Sequence, residues 1–232
     1  MLGRHNTVLQ KNFYDRQFKK LASKAMEFNI RNFYFEKLVS ILEEHKKPKE
    51  GDKLLELGVG EGLLMHKMAH RFNGCEYKGI DISEKNVETA KSLGLDVEVD
   101  DASDLHISGK FDLIYGTAIL HHLDNLEFFF DNLLKSLHSD GVILFGAEPV
   151  YYEFFYIIYH LLRGSWHAEK GMLNISVRRL CYILSKGYKN IKVYRHGNPF
   201  VYAFTTLGKI WNFTGLSKIP FLNDIYIYAE KK

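Results

Sequence analysis

Residues 54–62 read Leu-Leu-Glu-Leu-Gly-Val-Gly-Glu-Gly, an apolar run closed by a carboxylate and three glycines at alternate positions. Without a Cβ at Gly58, Gly60 and Gly62, the chain can turn tightly and a small molecule can approach bare backbone. A second run, Tyr77-Lys78-Gly79-Ile80-Asp81-Ile82, ends in an acid 21 positions after Gly60. In a doubly wound sheet that spacing sets a carboxylate at the tip of the second strand, where it can accept both hydroxyls of a ribose. His121-His122 follow a third run, Phe111–Tyr115. An imidazole with a pKa near neutrality can take a proton from an acceptor hydroxyl. The chemistry within reach is therefore a ribose-bearing cofactor and a proton-accepting group near it. Taken alone, the glycine run also fits an ordinary tight turn.

The charges narrow the cofactor. A dinucleotide site spaces its glycines Gly-x-Gly-x-x-Gly and rests a pyrophosphate on the helix N-terminus. Here the third glycine comes one residue early, and Glu56 and Glu61 place two carboxylates beside the loop. They would repel a pyrophosphate. They suit a cofactor carrying an amino group and a cationic centre, while the helix N-terminus can still receive a carboxylate.

These residues resemble the S-adenosylmethionine (SAM) site of class I methyltransferases. Three later segments resemble the same family. Val99-Asp100-Asp101-Ala102 is similar to the end of strand 3, whose acid and following residue flank the adenine. The stretch from Phe111 through Thr117 to Leu123 is similar to strand 4 and its active-site loop. The stretch Leu137–Phe145 is similar to the helix end, turn and strand 5. The resemblance covers residues 50–148 in order and spacing. It implies an α/β fold: a doubly wound, mostly parallel seven-stranded sheet with helices on both faces and an antiparallel C-terminal strand. It implies SAM as cofactor, held by Tyr14, Glu56, Gly58, Val59, Gly60, Gly62, Asp81, Ile82, Asp101, Ala102 and Thr117. Tyr14 enters because Asn12-Phe13-Tyr14-Asp15-Arg16 resembles an N-terminal segment that some of these enzymes fold over the cofactor. The alternative is an amphipathic helix packed on the sheet.

His121 and His122 are the candidate catalytic residues. His122 matches the position where many family members carry a histidine, and His121 sits at a more variable place. The competing reading is a ring packed beneath the loop and bonded to backbone. Some relatives bind a metal here through Glu-x-x-Glu-His; Ala118 and His121 stand where those acids would be, so no metal of that kind is expected. The loop Tyr115-Gly116-Thr117-Ala118 has no proline. The Asn/Asp-Pro-Pro-Tyr signature of enzymes that methylate exocyclic or glutamine amines is therefore missing. Oxygen is the preferred acceptor, with carbon or another nitrogen open.

The elements that must position these groups follow from periodicity. Two helices are expected at 8–28 and 30–46. Strands and helices then alternate at 53–57, 61–72, 76–82, 84–93, 95–99, 111–115, 125–137 and 141–147. Ser83 reads as an N-cap, and Gly94 and Gly187 as glycines just past helix ends. A helix is expected at 175–186, and strands at 188–195 and 224–230. The whole of 1–232 reads as one domain, with a helical N-terminal extension (1–48), a cofactor-binding core (50–148) and acceptor-side helices inserted after strand 5 with the final strands (149–232). Asp52, Lys85 and Asp104 read as surface charges.

With 232 residues, 46% of them hydrophobic, the chain can bury one substantial core. Cys75 and Cys181 are too few for a disulfide framework, so the reduced cytoplasm is the default compartment. The first 17 residues hold no secretory h-region, and the longest apolar run, Phe154–Leu162, is too short to span a membrane. A net charge of +3 gives no argument for nucleic acid. Sixteen of the 33 aromatic residues lie between 150 and 221, concentrated at 151–162 and 199–213. They read as a buried cover, as the interface of a homodimer, or as a lid over a small-molecule or lipid-like acceptor with peripheral membrane contact. Two other functional classes stay open: a non-catalytic SAM-binding scaffold subunit and an NAD(P)-dependent oxidoreductase.

Overall fold

In the computed structural model, residues 24–149, 158, 161–162, 171, 175–197 and 223–232 are described. Short apolar runs become strands buried on both faces, as parallel pairing requires. Leu113, Ile114 and Tyr115 in β4 (Phe111–Thr117) and Val142 to Phe145 in β5 (Leu137–Glu148) have almost no exposure. With β1 (Lys53–Leu57), β2 (Glu76–Asp81), β3 (Val97–Val99), β6 (Tyr188–Gly197) and β7 (Asn223–Lys231), they form one seven-stranded sheet in the order β3-β2-β1-β4-β5-β7-β6. Pairing is parallel from β3 to β5, and β7 runs antiparallel to both β5 and β6. The expected doubly wound sheet with an antiparallel C-terminal strand is present. Its order reverses between β1 and β4, and a crevice opens at such a switch point, outside the carboxyl ends of the strands.

Helices cover both faces. On one, α1 (Lys24–His45) and α2 (Leu63–Arg71) bury Leu38, Ile41, Leu42, Leu64 and Met68 against Leu54, Leu113, Tyr115 and Leu144. On the other, α4 (Leu126–Ser136) and α5 (Val177–Leu184) bury Phe129, Phe130, Leu133 and Leu180 against Leu55, Ile114 and Ile143. α3 (Glu84–Ser92) joins β2 to β3 and is capped by Ser83, whose hydroxyl accepts from Asn86 N at 3.3 Å. Asn125 and Ser176 cap α4 and α5 in the same way, each satisfying an orphan donor of the first turn. α1 runs antiparallel to β5: Leu38 lies near Gly146, while Lys46, just past the helix, reaches Asp140 at 3.2 Å. The first turns of α1 therefore point towards the carboxyl ends of the strands.

Several expected boundaries shift. One helix runs unbroken from Lys24 to His45 where two were expected to meet near residue 29, because no glycine or proline interrupts this stretch; residues 8–23 lie outside the described residues. β5 begins at Leu137 rather than 141, since Leu137 still pairs with Phe111 across an irregularity in register. Gly187 does not serve as a left-handed helix end; it is needed because Leu134 packs onto it. Asp52 is not a surface charge: it is buried, and its carboxylate accepts from Lys49 N at 3.0 Å to close the turn before β1.

Candidate functional site

The glycine loop is held from β2. Gly58 N and Val59 N both donate to the Ile80 carbonyl at 2.9 and 3.0 Å. Gly60 N donates to Asp81 Oδ2 at 2.7 Å. The other oxygen of Asp81 accepts from Ser83 N at 2.9 Å and Asn86 Nδ2 at 3.2 Å. Asp81, 8% exposed, is thus oriented on both sides at the tip of β2. Each carboxylate oxygen has two acceptor positions, so such a group can orient a loop and still meet a diol. Gly58, Gly60 and Gly62 all have φ between 57° and 87°, the left-handed region that strains any other residue. At Gly62 there is also no room, since an added Cβ would lie 2.6 Å from Leu95 Cδ1.

The Val59 side chain turns inward onto Gly79 and Met65, leaving only its backbone at the loop surface. Glu56 is 1% exposed and sits across the β1–β4 pair from Tyr115. Burial, and then the neighbouring Glu56, push the Tyr115 phenol well above its ordinary pKa.

At the end of β3, Asp101 caps the short turn Ala102–Asp104, its Oδ1 accepting from Ser103 N at 2.9 Å and Ser103 Oγ at 2.7 Å. Asp100 closes the same loop by accepting from His106 N at 2.9 Å. The His106 imidazole, whose Nδ1 lies 3.1 Å from Asp100 Oδ1, is held above its usual pKa by that side-chain hydrogen bond and by the Asp100 charge. Ile82, Asp101, Ala102 and Thr117 are all partly accessible at the carboxyl ends of neighbouring strands. Tyr14 lies outside the described residues.

After β4 the chain passes Ala118 at φ 52° and enters a short turn, Leu120–His122. Ile119 folds back against Gly58, joining this loop to the glycine loop. His121 is buried and His122 partly so, with ring centroids 3.9 Å apart. The loop is gripped from β5 by Glu148, which has no solvent exposure. Glu148 Oε1 accepts from Ile119 N at 2.8 Å and Leu120 N at 2.9 Å, and Oε2 lies 3.0 Å from His121 Nδ1.

A family model described as "Methyltransferase domain" matches residues 55–143, from β1 into β5. Over 107 residues the chain is 35% identical to the ubiquinone biosynthesis O-methyltransferase of Pelagibacter ubique, covering 44% of each chain. Over 181 residues it is 26% identical to the malonyl-[acyl-carrier protein] O-methyltransferase of Bacillus cereus, covering 74% of this chain and 61% of that one. The matches thus span about half the length of these curated relatives. Among solved structures, phosphoethanolamine N-methyltransferase 2 of Haemonchus contortus, in complex with S-adenosyl-L-methionine, superposes with a TM-score of 0.72 at 18% identity, covering 96% of this chain and 60% of that one. A possible histamine N-methyltransferase from Thermotoga maritima superposes with a TM-score of 0.61 at 17% identity, covering 98% and 99%. At such identities these likenesses establish the class I methyltransferase fold.

Within this fold, the topology gathers at one end of the sheet all the expected site residues that are described. Glu56, the glycine loop, Asp81, Ile82, Asp101, Ala102, Thr117 and the two histidines follow four adjacent strands. Glu148 was missed. The signal was present: an acid at the tip of a buried apolar strand, the same cue that singled out Asp81.

Proposed function

We propose that this chain is a SAM-dependent methyltransferase acting on a small, apolar or lipid-like acceptor, with oxygen as the atom methylated. The observation that carries the reading is the loop 58–62, whose three glycines all take left-handed φ, tied by Gly60 N to Asp81 and underlain by buried Glu56. Such a cradle favours a ligand with a ribose diol and a cationic end, and disfavours a pyrophosphate. The expected cofactor residues fit this reading: Asp81 meets the ribose, Asp101 and Ala102 flank the base, Glu56 faces the positive charge, and Ile82 and Thr117 border the pocket. Tyr14 is assigned the cofactor's methionine end on family resemblance.

A bound SAM supplies a methyl carbon on a sulfonium, from which a neutral thioether departs. The chain's own residues then hold the acceptor close and in line, an effect worth up to about 7–11 kcal/mol. His121 takes the acceptor's proton as the new carbon–oxygen bond forms and the carbon–sulfur bond breaks. His122, its ring tilted against that of His121, shapes the acceptor side of the loop. A general base of this kind contributes about 10²–10⁴-fold.

Two observations support an apolar acceptor. Ile158, Leu161 and Leu162 are exposed, Leu162 to 83%, in the segment that follows β5. Two of the relatives are O-methyltransferases of ubiquinone biosynthesis and of malonyl-[acyl-carrier protein]. Among the described residues no helix is long and apolar enough to cross a membrane. The aromatic segments 151–162 and 199–213 fall almost wholly outside the described residues; we assign them the lid, with peripheral membrane contact and a cytoplasmic location. The test is incubation with methyl-labelled SAM and cell extract separated into polar and lipid fractions. Label in the lipid fraction, on an ether or ester oxygen, is expected. SAM binding with no label in any fraction would favour the scaffold reading, and tight NAD binding without SAM binding would favour an oxidoreductase.

A further inference from the structure

β5 ends on an unusual piece of backbone. Ala147 has φ 55°, and the pairing with β7 slips between Phe145 and Glu148. Directly across from it, Ala118 leaves β4 at φ 52°, with its N–H donated to the Gly146 carbonyl at 2.9 Å. Two alanines in the left-handed region on adjacent strand ends are uncommon, and such conformations persist only where surrounding bonds impose them. Here the bonds converge on one carboxylate. Glu148 receives two backbone N–H groups on Oε1, and faces His121 N at 3.4 Å and His121 Nδ1 at 3.0 Å with Oε2. An ionised carboxylate with no exposure must be met by donors. Both oxygens already accept backbone N–H groups, so the contact to Nδ1 is read as a donated N–H, which leaves Nε2 as the acceptor nitrogen whenever the ring is neutral.

We propose that Glu148 is a positioning residue for methyl transfer: it fixes the loop 119–121 and sets the His121 tautomer, so that Nε2 is the atom that takes the acceptor proton. The proposal rests on the reading of His121 as proton acceptor. A Glu148→Gln change keeps an oxygen for the Ile119 and Leu120 N–H groups and so keeps Ile119 against Gly58; its effect falls on turnover and not on cofactor affinity. The strain at Ala118 and Ala147 is what brings a strand-end carboxylate round to face a loop 27 to 29 residues away in sequence.

The test is ¹⁵N spectroscopy of the histidine rings at about pH 8, where an unperturbed imidazole is neutral. His121 is assigned by the signal lost in His121→Gln. The intact chain should carry its proton on Nδ1. Glu148→Gln, whose amide can donate to Nδ1, should move the proton to Nε2. The same variant should lose about 10²–10⁴-fold in the rate of label transfer from saturating SAM to the accepting extract fraction. SAM affinity by calorimetry should change less than about threefold, since no hydrogen bond to the glycine loop is removed. Glu148→Asp, which keeps the charge, should restore the Nδ1 proton. A proton on Nε2 in the intact chain overturns the proposal, as does full turnover in Glu148→Gln with the tautomer switched. Should that variant not fold, the spectrum of the intact chain still decides. If no fraction accepts label, the methyltransferase reading falls, while the tautomer reports separately on Glu148.

Discussion

The two halves of the site are built differently. On the β1–β2 side, a loop is held by partners close in sequence. The three glycines lie within five residues, and Asp81 bonds Gly60, Ser83 and Asn86, at most 21 positions away. On the β4–β5 side, the loop carrying the histidines is held by one carboxylate arriving from 27 to 29 positions away. The first half relies on residues that cost little to turn, the second on a buried charge that must be fully met. A local motif can therefore be read as a string, whereas a long-range clamp emerges only once the strands are paired.

The contrast sets the order of expected effects. Glu148→Ala strands two or more buried N–H groups and leaves the strained loop without its anchor. It should destabilise the fold by about 3–5 kcal/mol in urea titration; a loss under 1 kcal/mol would mean the clamp is dispensable. On the other side, Asp81→Asn turns an amide donor towards the Gly60 N–H or the Ser83 N–H. It should weaken SAM binding about 10²-fold by calorimetry, or about 2.7 kcal/mol, and cost about 1–3 kcal/mol of stability, less than Glu148→Ala. Gly62→Ala meets both a left-handed φ of 87° and the Leu95 side chain, so a loss of about 2 kcal/mol is expected from chemical denaturation.

A smaller effect lies at the far edge of the sheet. His196 stacks on Phe33 with centroids 4.3 Å apart, and burial, then Lys37, lowers its pKa to about 4. The unfolded ring titrates near 6.5, so the neutral folded ring contributes its full stability above about pH 6.5. That contribution is lost as pH falls from about 6.5 towards 4. His196→Phe keeps the stack and removes the titration. Between those pH values the parent should lose about 1–3 kcal/mol more stability than the variant. Equal slopes would show that His196 titrates normally.

Much of the fold was legible because parallel strands buried on both faces write continuous apolar runs, and caps such as Ser83 mark where helices start. Glu56, Gly58, Gly60, Gly62 and Asp81 were legible for the same local reason. Boundaries failed where long-range pairing decides them, as at Leu137, which belongs to β5 because Phe111 lies across from it. Gly187 was misjudged because the side chain that requires it, Leu134, is distant in sequence. Val59 was expected at the cofactor by its position in the loop; that its side chain fills the gap over Gly79, leaving its backbone for the loop surface, shows only once β1 and β2 are paired. Glu148 carried the right local cue. Its function, however, depends on the slipped register with β7 and on a backbone turn at Ala147 that residue type alone does not announce.

The most direct measurement is a crystal structure of this chain grown or soaked with SAM. The account predicts the adenosyl group across the carboxyl ends of β1 to β3, its ribose on the Asp81 carboxylate and its cationic end over Glu56. Density for the cofactor elsewhere, or a loop around Gly60 closed against protein with the ligand excluded, would contradict it.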